Sequence, residues 1–535
     1  MSNRLGNMPI IVNPDADAYT FISPTPMRYR GTRFAVGCIY CMEVLNGFAF
    51  FLLAPNVAEF GRDQLGFLQS TSVIISIVFS GVVYSTPIIG GLLGDAVFGR
   101  YKTICAGNVL FLLGMAILLI LTVVLKTTEV QINFSGRMAL FCISLIFVAT
   151  GQGFITANIT PFGAYQVDNG NGLRLKRFFR WCMFFFNIGK LAAYLPIPFL
   201  MKGATYKLAD LTLPVVQVIV AILAAVVFGV GKKAYKRPPI AGRQNLSHLL
   251  RGFRHMRYGK KSFLPSDAPY KEVRRWYAAH LLRMVFFLFA MFATTGVFEA
   301  IYFQLETSFP MEANYFKDPK WNIPPKFILN FSPVTVLLLI CVAEVYSWWC
   351  ERHQEREWSN IRRIGLGILF AALSSAVTGV LLSVADLQSM RWDDISLFWQ
   401  VPQYVFIGFA DMLIFTAGYE FCYCESPPGI EGFLTGLFLG VGSIFGIIIS
   451  MALTPLRTTD LRNHVDMTQL EILFFILSGL MLFVWCLYII LAQLYRHARN
   501  NLPDAPGERS ISHSNPWEEN SFTPDVFDIR TSFTE

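Results

Sequence analysis

The stretch FFRWCMFFFNIGKL, Phe178 to Leu191, decides how the rest of the chain is read. It is almost entirely aromatic and aliphatic. The apolar run continues to Met201, long enough to cross a bilayer as a helix. Yet it carries Asn187 and Lys190. Counted from Phe178, Lys190 lies about 18 Å along a helix, near the midplane of a hydrocarbon core roughly 30 Å thick. An ammonium at that depth is costly unless it meets a watery cavity or an acid. Asn187 comes three residues earlier and shares the same helix face. That face is expected to line a central polar cavity.

The surrounding chain has the composition such a helix needs. Of its 535 residues, 54% are hydrophobic and 15% charged, too little charge to cover a soluble protein of this size. Apolar segments recur along nearly the whole length, which predicts an all-α polytopic membrane protein. Twelve spans are read, at 34–58, 69–97, 103–126, 138–163, 178–201, 213–231, 278–303, 326–350, 364–386, 397–424, 430–454 and 470–495. The link from Lys232 to Trp276 holds thirteen Lys or Arg and two acids. Further basic residues follow span two (Arg100, Lys102), precede span five (Arg174, Lys176, Arg177) and follow span eight (Arg352, Arg356, Arg362, Arg363). The alternate links are poorer in Lys and Arg, so both termini are expected in the cytosol. The net charge of +8 sits in these loops and is not a nucleic-acid footprint.

The organisation that follows is a cytosolic segment 1–33, a six-helix bundle 34–231, a basic cytosolic linker 232–277, a second six-helix bundle 278–495 and a disordered tail 496–535. The linker includes a candidate amphipathic surface helix from Leu246 to Met256, read as a tether to anionic lipid. Asn133-Phe134-Ser135 is a glycosylation sequon on the outer side, close to the bilayer. The N-terminus is polar up to Arg33, so the first span itself is expected to direct insertion. The ten cysteines are scattered, with neither metal-ligand spacing nor a paired framework. No nucleophile–base spacing is visible. The chain is read as a non-enzyme without metal or organic cofactor. Two six-span halves with central charges match the twelve-helix major facilitator plan, in which repeats rock about a midplane site. A seven-span receptor has too few segments, and no filter-like run suggests a channel.

Four motifs narrow the reading. Span two ends VYSTPIIGGLLGDAVFGRYKTI, Val83 to Ile104, where Gly90, Gly91 and Gly94 allow close helix packing. A gating motif is read at Gly91, Asp95, Gly99 and Arg100, with the two charges at the cytosolic edge. The others are GQGFITANITPFGAYQVD (Gly151 to Asp168), the opening stretch, and VPQYVFIGFADMLIFTAGYEFCYCESP (Val401 to Pro427). Together they resemble the signatures of the proton-dependent oligopeptide transporter family, which includes peptide and nitrate transporters. Gln304 and Thr307, and Asn330-Phe331-Ser332-Pro333, fit the same pattern.

The departures matter as much. The family's first-span motif, acid-x-x-Glu-Arg-Phe-x-Tyr-Tyr, reads here EVLNGFAFF. Glu43 remains, but Asn46, Gly47, Phe50 and Phe51 replace the second acid, the Arg and both Tyr. Thr156 stands where the family has a fourth-span Lys, Asp411 where it has a tenth-span Glu, and Lys190 where it has a fifth-span Ser. The resemblance links the two lost cations to proton coupling and to holding a peptide carboxylate. A relocated cation is therefore expected, with Lys190 paired to Asp411 at similar depth and Glu43 completing the charge network. By similarity, Tyr84, Asn158, Asn187, Gln304 and Asp411 are expected to face the substrate. Phe48, Phe50 and Phe51 would make the site more apolar than a typical peptide site. Glu420 is read as structural, and Glu299 and Glu306 as a solvated face at the outer mouth. The expected function is proton-coupled transport of small peptides or a related organic solute by a plasma-membrane monomer. The alternative is an uncoupled facilitator or solute sensor for a non-peptide ligand.

Overall fold

The computed structural model describes residues 32–127, 133–168, 172–196, 206–238, 282, 285–313, 324–353, 357–387, 396–426, 429–453 and 467–500. The candidate linker helix, nearly all of the N-terminal segment and most of the tail lie outside them. Among the described residues the regular structure is helical, without strands. Eleven helices among these residues are long and apolar enough to cross a membrane: Thr32–Asp63, Ser70–Ala96, Arg100–Leu125, Phe134–Val167, Leu213–Lys233, Val285–Pro310, Pro325–His353, Asn360–Val384, Leu397–Glu425, Glu431–Ala452 and Gln469–Arg496. The fifth of the twelve expected spans is the helix Gly172–Tyr194. Its length of 23 residues suffices, but Arg177, Arg180 and Lys190 make it too charged to stand out by hydropathy. It also begins six residues before Phe178, so Arg174, Lys176 and Arg177 lie in its first two turns.

Outward-facing positions are apolar and exposed, as a lipid-facing surface requires (Ile120, Leu338, Val342, Val345, Phe483). The polar residues turn inward. Spans one to six pack on one another, as do seven to twelve. The two sets meet chiefly where span two crosses span eleven and span five crosses span eight.

Small residues set the first crossing. A Cβ on Gly436 would lie 2.2 Å from the Pro87 carbonyl oxygen, so these two backbones touch directly. Span two is itself broken at Thr86–Pro87. Proline lacks an N–H and leaves a carbonyl of the preceding turn without its helical partner. The Thr86 hydroxyl lies 3.2 Å from the Val83 carbonyl and 3.0 Å from that of Ala149, where it can donate to either. The kink is thereby satisfied inside the protein, away from lipid.

Candidate functional site

Between the halves lies a cavity of about 50 Å³, room for a few waters. Its wall is built from helical stripes. Glu43 and Phe50 come from span one, and Gln152, Thr156, Ile159 and Thr160 from span four. Phe179, Cys182, Met183 and Phe186 come from span five, and Asp411, Phe415 and Tyr419 from span ten. Val83, Tyr84 and Tyr302 complete it. Spacings of three or four residues within each helix put these side chains on one face.

Lys190 is fully buried just behind this wall. Its Nζ donates to the Tyr302 hydroxyl at 2.8 Å and lies 3.5 Å from Asp411 Oδ2. It also sits 4.8 Å from the Phe51 ring centroid and 5.0 Å from that of Tyr302. An aromatic face attracts a cation, and does so more strongly when water is excluded. Lys190 belongs to the first half, and Tyr302 and Asp411 to the second. The ammonium thus joins the halves at the cavity. Glu43 also lines the wall, with no cation paired to it among the described residues.

Other expected site residues are placed differently. Asn158 is buried and donates to the carbonyls of Gly90, at 2.8 Å, and Phe154, at 2.9 Å. It locks span four to span two. Asn187 donates to the Met183 carbonyl at 2.9 Å within its own helix. Gln304 donates to the Ala300 carbonyl and accepts from Ser308 within its own half. These three amides, and Phe48, do not line the cavity. Their amide nitrogens are taken up by helix carbonyls, while Oδ1 of Asn158 and of Asn187 is buried with no hydrogen-bond partner among the described residues.

Glu299 also corrects the expectation. It is 2% exposed rather than solvated, with its Cβ facing Gly446 and its Cγ facing Gly442 of span eleven. Its Oε2 has no hydrogen-bond partner among the described residues. The absence of side chains on those glycines is what makes room for it. The side chain of Glu306 lies outside what is described. Sequence reasoning also passed over Gln152, Thr160, Tyr302, Phe415 and Tyr419. The signal was available for span ten, because Asp411, Phe415 and Tyr419 recur every fourth residue.

Both ends of the cavity are latched between the halves. At one end Arg100 Nε donates to Asp95 Oδ1 at 2.7 Å, and the same guanidinium reaches Glu431. Asp95 Oδ2 accepts the backbone N–H of Phe433 at 2.8 Å. Gly99 holds the turn between the two charges at φ +84°, a conformation that disfavours any side chain. Near this gate Arg180 Nε lies 2.7 Å from Glu344, and Lys176 Nζ lies 3.3 Å from Glu357. Glu420 is paired with Arg363 at 2.6 Å within the second half, a structural role. At the other end Lys326 Nζ reaches Asn56 Oδ1 at 2.8 Å and Glu59 at 2.7 Å. The small cavity is the consequence, since pockets for drug-sized ligands run to roughly 300–1,000 Å³.

Burial works against the charge on Glu357, but Lys176, Arg180 and Arg363 outweigh it and hold this carboxyl below the usual glutamate value. A carboxyl held low stabilises the latched state above its ordinary pKa, and the contribution is lost as pH falls through the lowered one. The latch therefore stays charged at physiological pH. Glu357→Gln is expected to lower uptake several-fold while leaving the pH profile of uptake unmoved. A profile displaced in proteoliposomes would show instead that this group titrates during the cycle.

Among the described residues, eleven apolar spans and the charged helix Gly172–Tyr194, in two sets latched at both ends of a charged central cavity, define a membrane transporter of the major facilitator type. The family model described as "PTR2: POT family" matches residues 101–256 and 274–465, more than half of the chain, and the protein belongs to this family. It is 24% identical to Protein NRT1/ PTR FAMILY 8.2 of Arabidopsis thaliana, covering 88% of this chain and 94% of that one. It is 22% identical to Solute carrier family 15 member 3 of Rattus norvegicus, covering 91% and 95%. Among solved structures, the POT family transporter PepTSo superposes with a TM-score of 0.64 at 19% identity, covering 86% and 98%. A POT family transporter in complex with 5-aminolevulinic acid gives 0.61 at 13% identity, covering 86% and 96%. At these identities the solved structures bear on fold alone.

Proposed function

We propose that the protein moves small peptides or a related small organic solute by alternating access, with protons coupled through Glu43, Lys190 and Asp411. The observation that carries this reading is the ammonium of one half set against an acid and a phenol of the other at the cavity wall. Protonation of Asp411 would remove half of that ion pair, and an anionic group on the solute could take its place. Either event loosens contact between the halves at the point where they must part. Tyr84 and Asp411 offer hydrogen bonds to the solute, and Asp95, Arg100 and Glu431 close the gate. The loop charges support a topology with both termini in the cytosol. A plasma-membrane monomer is the working assignment.

Uptake of labelled di- and tripeptides into proteoliposomes tests this. An inward pH gradient is expected to raise uptake at least five-fold. Uptake indifferent to the gradient would remove coupling. The second reading, a facilitator or sensor for a non-peptide solute, draws on the wall itself. Apart from Glu43 and Asp411 it is largely aromatic and aliphatic, and Thr156 replaces a cation there. Solute binding without uptake would favour the sensor.

A further inference from the structure

The central cavity holds a negative charge that its own walls leave uncompensated. Glu43 is 6% exposed and lines the space. Among the described residues its carboxyl makes neither a hydrogen bond nor an ion pair. Asp411, the other acid on the wall, is already matched by Lys190. The described lining includes no Lys, Arg or His. A third buried carboxyl, Glu299, acts on Asp411 through its charge, and Tyr419 stands in the field of all three acids. Three carboxyls therefore share one ammonium. A dry cavity of one sign concentrates the opposite ion, because little water screens it.

A buried carboxyl without a counter-charge is completed by a proton or by a cation. The walls around Glu43 favour the cation, since a proton needs no rings about it. Phe50 stands two helical turns from Glu43 on the same face of span one, and Phe186 comes in from span five. Tyr84 meets the edge of Tyr302 at 6.4 Å, and Tyr302 that of Phe415 at 5.8 Å. Tyr419 stacks on Phe415 at 6.3 Å. Aromatic faces attract ammonium groups, most strongly where water is excluded. Lys190 shows that chemistry within this protein, with its amine 4.8 Å from the Phe51 centroid and 5.0 Å from that of Tyr302.

We propose that the solute recognised here is a small organic cation, an amine on an apolar body without a carboxylate, whose ammonium is held by Glu43 and the aromatic walls. This deepens the non-peptide reading of the same cavity and rests on it. A carboxylate on the solute would meet Glu43 with like charge. It could reach an ammonium only by parting Lys190 from Asp411. A neutral solute would leave Glu43 as it stands. The apolar body is admitted once the latches at the ends of the cavity part.

Isothermal titration calorimetry of the full chain in detergent at neutral pH tests this with four ligands of one body: 2-phenylethylamine, 2-phenylethanol, 3-phenylpropionate and phenylalanine. The amine is expected to bind at least ten-fold more tightly than the alcohol or the propionate, and at least three-fold more tightly than phenylalanine. Glu43→Gln should cost the amine at least ten-fold and leave the alcohol within two-fold. Glu43→Asp keeps the charge on a shorter stem and should cost the amine no more than three-fold. Should the glutamine variant fail to fold, the ranking of the four ligands on the native chain still decides. Binding is read without transport, so a chain that holds the amine through Glu43 and moves nothing upholds the inference and points to a sensor. Dipeptide uptake by a chain that binds the alcohol or phenylalanine as tightly as the amine overturns the inference and leaves transport standing. Amine binding unchanged in Glu43→Gln would overturn it equally.

Discussion

Replacing Lys190 with serine is expected to abolish gradient-driven uptake and to destabilise the protein by about 3–5 kcal/mol, the usual consequence of removing one partner of a buried ion pair. The Asp411 carboxylate would then stay dry without its counter-charge. Asp411→Asn should destabilise as well, by stranding the ammonium among Phe51, Tyr194 and Tyr302. The double variant removes both charges. It should regain much of the stability lost by either single change, yet remain insensitive to a pH gradient. Thermal unfolding in detergent and uptake in proteoliposomes read the two effects separately. Groups in contact typically show interaction energies of about 0.5–3 kcal/mol in such a cycle. Single effects that simply add would mean that the two side chains do not act as a pair.

Gly91→Ala should produce the second largest effect. A Cβ there would lie 2.1 Å from the Gly432 carbonyl oxygen and 2.8 Å from the Phe433 Cα, both backbone atoms of span eleven. Neither can swing aside as a side-chain tip could. The halves must separate locally, which pulls the Phe433 N–H from Asp95 and Glu431 from Arg100. Uptake is expected to fall at least ten-fold, equivalent to about 1.4 kcal/mol against the latched state. Solute binding to the open state should persist. A cysteine placed at the gate would become more reactive toward a water-soluble thiol reagent. Unchanged reactivity together with normal uptake would show that this crossing is not part of the cycle.

Reading the chain alone went furthest where charge meets oil. Lys190 and Asp411 could be matched because each is costly at its depth and each removes the other's cost. The Asp95–Arg100 ion pair was legible for a related reason, since glycines beside opposite charges at a span end leave few other arrangements. Neutral amides carry no comparable constraint. The amide nitrogens of Asn158 and Asn187 donate to carbonyls four residues back, and that of Asn158 also to span two, so their polarity did not point at the cavity. Glu299 was misread because its setting comes from Gly442 and Gly446, about 145 residues further along and permissive only through what they lack.

Hydropathy, loop charge and motif order were enough to establish twelve spans, their pairing into halves and the family, because lipid constrains every residue of a spanning helix locally. Which face each helix turns inward was left to packing between distant segments. The Lys190 nest of Phe51, Tyr302 and Asp411 draws on three other spans. The latches at both ends likewise join spans distant in the sequence. Each depends on rotations and approaches of whole helices, set by side-chain volumes that no local stretch of sequence contains.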